Sequence, residues 1–71
     1  MKEQIYKDLN KICQKKLQNE PEKQQIYQNI QKILSYKNAF EQINFEVAIN
    51  ILYDLGYSKQ DALKIYKLLT E

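Results

Sequence analysis

The side chains able to do chemistry in this sequence are few and poorly grouped. Histidine is absent, so only the Cys13 thiol and the amino terminus titrate anywhere near neutral pH. Acid–base catalysis needs positioned partners, and Glu41, Glu46 and Asp54 are scattered without a pairing pattern. There is no nucleophile with a neighbouring base, and a single glycine cannot build a phosphate-cradling loop. The lone cysteine has no companions for a zinc site and no second thiol for an intrachain disulfide. These residue types point away from an enzyme and imply neither metal nor cofactor.

Three further sets of residues remain. Cys13 falls on an apolar stripe, which is the place of a buried, reduced thiol. Lys7, Lys11 and Lys15 recur every four residues and form a row on the opposite side of the same helix. Such a row is ordinarily a solvated face; its sharper reading is contact with phosphate or an acidic partner. Tyr6, Tyr27, Tyr36, Tyr53, Tyr57 and Tyr66 are spread along the chain. That spread suits the wet edges of cores and interfaces better than a base-stacking platform.

Helices must position these groups. Ile5, Leu9, Ile12, Cys13 and Leu17 follow a 3.6-residue period, which predicts a helix over about residues 3–18 with Lys16 at the stripe's edge, snorkelling outward. Asn19-Glu20-Pro21-Glu22 is a boundary, because proline suits a first helical turn and acidic residues favour its positive end. A second helix, about 21–36, carries Ile26, Tyr27, Ile30, Ile33 and Leu34 on a narrow stripe. Between Tyr36 and Asn44 the pattern weakens: Asn38 suits a left-handed cap and Asn44 an N-cap, with Phe40 and Ile43 plugging one end of the core. A third helix, about 45–55, has a very wide apolar arc, with only Glu46, Asn50 and Asp54 polar, and should be central. The fourth, about 58–70, is also broad.

Leu55-Gly56-Tyr57-Ser58-Lys59-Gln60-Asp61 joins those last two. Gly56 suits the left-handed position after a helix, and Tyr57 can fold back to seal that end. Ser58 and Asp61 have capping-box spacing, so a new helix starts two residues after the old one stops. The expected fold is all-α, a compact bundle of four short helices in one domain spanning 1–71, its last two helices forming a tight helix-turn-helix corner. At this length, stability is about 3–5 kcal/mol unless a staple or a partner adds to it.

Val47 to Leu69, with Leu55-Gly56-Tyr57 in the turn and Ala62 after it, resembles the first two helices of a ubiquitin-associated domain. It is similar also to the small C-terminal domain of bacterial Holliday-junction RuvA proteins. The likeness covers about a third of the chain, and the third helix of that family would have to follow Glu71. It implies protein-partner contact through Leu55, Gly56, Tyr57 and Leu69. In size class and helix count the chain is similar to bacteriocin immunity proteins.

The functional expectation is a small interaction or regulatory protein presenting an apolar helical face, as a homodimer or bound to another protein. Two broad apolar helices exceed what one core of this size hides, and the surplus marks an interface. Tyr53, Tyr57, Leu63, Tyr66 and Leu68 are the expected contact residues. The alternative is a DNA-binding helix-turn-helix regulator using Lys59, Gln60, Lys64 and Lys67. Against it, Leu52 stands where that motif favours a small residue, and a net charge of +2 does not demand nucleic acid. With no apolar run of membrane-spanning length and a polar start, the expected location is the cytoplasm.

Overall fold

Leu9 and Cys13 lie one helical turn apart on α1 (Lys2–Asn19) and are fully buried, with Ile5, Ile12 and Leu17 packed beside them. The computed structural model describes residues 1–71 and contains helices and turns but no strand. Four long helices and one short one enclose a single cluster of fourteen buried residues, none of them polar or charged. The all-α bundle expected from periodicity is therefore the fold.

Proline acts at the first boundary. Pro21–Lys23 forms a 3-10 turn, and regular helix begins only at Gln24, running to Leu34 as α2. The expected helix from 21 to 36 is trimmed at both ends. At its C-terminus the Ser35 hydroxyl donates to the Lys32 carbonyl at 2.6 Å, and Tyr36 N–H reaches back three residues to Ile33. Both bonds use carbonyls that a continuing helix would need.

Asn38 takes the left-handed conformation, with φ +53°, and reverses the chain. The segment after it is a short helix, α3 (Ala39–Gln42), where sequence periodicity predicts only a connection. Phe40 on α3 is fully buried. Its N–H donates to the Tyr6 hydroxyl at 3.0 Å, and its ring meets that of Tyr6 edge-to-face at 6.0 Å. The end of the core is thus plugged and pinned to α1.

The Asn44 side chain accepts from Val47 N–H at 2.8 Å and starts α4 (Phe45–Asp54). Ser58 accepts from Asp61 N–H at 3.2 Å and starts α5 (Lys59–Thr70). Only half of the expected capping box forms, because the Asp61 carboxylate makes no bond back to Ser58. Between the two helices Gly56 has φ +101°. Tyr57 N–H bonds Leu52 O at 3.0 Å and Gly56 N–H bonds Tyr53 O at 2.9 Å, the two bonds of a Schellman motif. The corner read from the sequence is there, with Tyr57 packed against the core.

One expectation about centrality changes. The helix expected to be central, α4, buries Ala48, Ile49, Ile51 and Leu52, yet α5 is the helix whose backbone comes close to α1, α3 and α4. Small Ala62, fully buried, lets α5 approach its neighbours closely. A wide apolar arc reports how much a helix must cover, not how many helices cover it.

Candidate functional site

The apolar residues of α2 divide between two duties. Tyr27, Ile30 and Leu34 enter the core, whereas Ile26 and Ile33 lie about 40–60° round the helix from Ile30 on its other flank. Ile26 is 43% exposed. On α4, Val47 lies about 140° from the buried Leu52 and is 39% exposed. These two surplus edges face each other. Ile26, Ile30 and Ile33 form one wall of an open groove, and Val47 and Ile51 form the other. Asn29, Asn50 and Asp54 complete the lining.

The groove holds about 270 Å³, below the usual range for enclosed small-molecule sites, about 300–1,000 Å³. Of four shallow depressions on the surface it is the one lined mostly by apolar side chains. A shallow apolar trough with amide and carboxylate edges can accept the side chains of a partner; it offers nothing that would activate a substrate.

The residues expected to make partner contacts are not gathered in one place. Tyr53, Leu63 and Leu68 are exposed, whereas Tyr57 and Tyr66 are half-buried against the core. Tyr66 meets Phe45 edge-to-face at 5.0 Å, closing the seam between α4 and α5. Leu63 and Leu68 lie about 140° apart on α5 and flank its buried stripe on opposite sides. Ile26, Ile33 and Val47 were legible as apolar positions, but not as a common edge. The usable signal was angular, since Val47 lies far from the centre of the arc that α4 turns inward.

Lys59, Gln60, Lys64 and Lys67 are all exposed on the outward side of α5, with Leu63 among them. Lys7, Lys11 and Lys15 are exposed on α1 and unpaired. Acidic groups interrupt this basic surface near the corner. Burial and then the charges of Asp8 and Asp61 raise the pKa of the Tyr57 hydroxyl.

The densest polar cluster is structural and sits where α1 passes into α2. Glu20 accepts from Lys16 at 3.3 Å and pairs with Lys23 at 3.6 Å. Partial burial alone would raise its pKa, but the Lys16 hydrogen bond, the nearby Tyr27 hydroxyl and the two lysine charges outweigh that and hold it low. Tyr27 shifts the other way, raised first by burial and then by the nearby Glu20 carboxylate. Cys13 is fully buried, and its thiol donates to the Tyr27 carbonyl at 3.2 Å. Burial pushes its pKa up, against a smaller opposing effect from the Gln31 backbone. Such a thiol is unsuited to nucleophilic attack.

No helix is long and apolar enough to cross a membrane. No known family model matches the chain, and neither a curated protein nor a solved structure is significantly similar to it.

Proposed function

We propose that this chain is a small, non-enzymatic cytoplasmic protein that acts by binding another protein through an apolar helical face. The observation that carries the reading is the α2/α4 groove. Ile26 and Val47 are each about two-fifths exposed, and Ile33, packed at the edge of the core, is partly so. Contiguous apolar surface on so small a chain is costly to leave bare, and a partner that covered it would add to a slender stability.

Chemical cross-linking and capture from the source cell test this directly. A specific partner is expected with the unaltered chain and with Leu63→Asp, and is expected to be lost with Val47→Asp while helix content is kept. Sedimentation at low micromolar concentration would instead reveal a homodimer using the same face. A strictly monomeric protein that captures nothing through this groove would overturn the reading.

A DNA-binding helix-turn-helix is the second reading, supported by the common exposure of Gln60, Lys64 and Lys67 on α5. It requires duplex binding at about 50 mM salt that weakens with added salt and when Lys64 is replaced.

A further inference from the structure

We propose that the α2/α4 groove receives two turns of a basic amphipathic helix from a partner protein, an inference that rests on the interaction reading above. Length argues for a helix. Ile26, Ile30 and Ile33 are spaced four and three residues apart, which is about 10 Å of helix axis. A partner helix reaches that length with anchors at i, i+4 and i+7, the usual spacing of helix-in-groove recognition.

Charge argues for a basic one. Helix α4 carries Glu46 and Asp54 and no basic residue. The only charge on α2, Lys32, does not line the groove; it lies about 100° round the helix from Ile33, on the outer side of Asn29. Asp54 itself lines the groove. No basic residue is among the eight that line the groove, so Asp54 is its one charge. Eight of the eleven lysines are on α1 and α5, and none lines the groove. A lysine or arginine flanking the partner's apolar anchors would meet Asp54 at the rim. A second copy of this chain fits less well, because a two-fold groove-to-groove contact would bring two Asp54 carboxylates into one interface with no cation from either groove lining.

The test uses the full isotope-labelled chain and two synthetic helical peptides with the same three leucine anchors, one flanked by lysines and the other by glutamates. The basic peptide is expected to move the methyl signals of Ile26, Ile33 and Val47 and to bind roughly tenfold tighter than the acidic one. Asp54→Lys is expected to erase that preference; a lysine at the C-terminal end of α4 favours the helix dipole, so the fold is kept. Equal binding of both peptides, signal changes confined to α5, or a dimer already filling the groove would overturn this inference while leaving a protein-interaction role standing. Failure of both peptides to bind, together with no self-association and clear binding of duplex DNA, would overturn both.

Discussion

Gly56 shows what a single residue contributes here. An added Cβ would meet Lys16 Cε at 3.7 Å, an ordinary contact, so space is not the constraint. The constraint is φ +101°, where an L side chain is strained. Gly56→Ala is therefore expected to lower stability by about 1–2 kcal/mol, read as a lower urea midpoint with unchanged slope. Glu20 makes a prediction about pH. Its folded pKa lies below the ordinary value, so its contribution is fully present above the unfolded pKa of about 4.3 and disappears as pH falls through the lower folded value. Urea midpoints followed from neutral to acid pH should show that component in the natural chain and lose it in Glu20→Gln.

Among the elements, α3 depends most on distant partners. Its four residues cannot hold a helix on their own, and it persists because Phe40 is buried and its N–H finds the Tyr6 hydroxyl. Tyr6→Phe keeps the ring contact and removes the acceptor, leaving a partly buried amide unpaired; a loss of about 1–2 kcal/mol in thermal or urea unfolding is expected. The same contrast explains what could be read from sequence. Caps at Asn44, Ser58 and Gly56, and the left-handed Asn38, are local events written in one or two residues. Helix α3 was not legible because four residues show no period, and the α2/α4 groove was not because packing decides which edge of an apolar arc is covered. The contact of Tyr66 with Phe45 is likewise a product of packing that helical period does not spell out.

Across the whole molecule, acidic and basic groups are sorted by helix. Helix α4 is acidic, whereas lysines outnumber acids on α1 and α5, and Asp54 is the one charged residue lining the groove. The bundle is held by burial of fourteen apolar residues, helped by short polar ties at its junctions. One of those ties joins the two ends of the chain. Lys2 Nζ pairs with Glu41 at 3.2 Å and also donates to the Glu71 carbonyl at 3.1 Å. Residue 71 thus lies within reach of the Lys2 side chain, and ends placed close together favour circular permutation. A short glycine-serine link from Glu71 to Met1, with new ends opened at exposed Lys37 just before the strained Asn38, is expected to give the same helical spectrum and a cooperative transition. In that permutant α2 and α4 would lie at opposite ends of the polypeptide and still form the two walls of one groove.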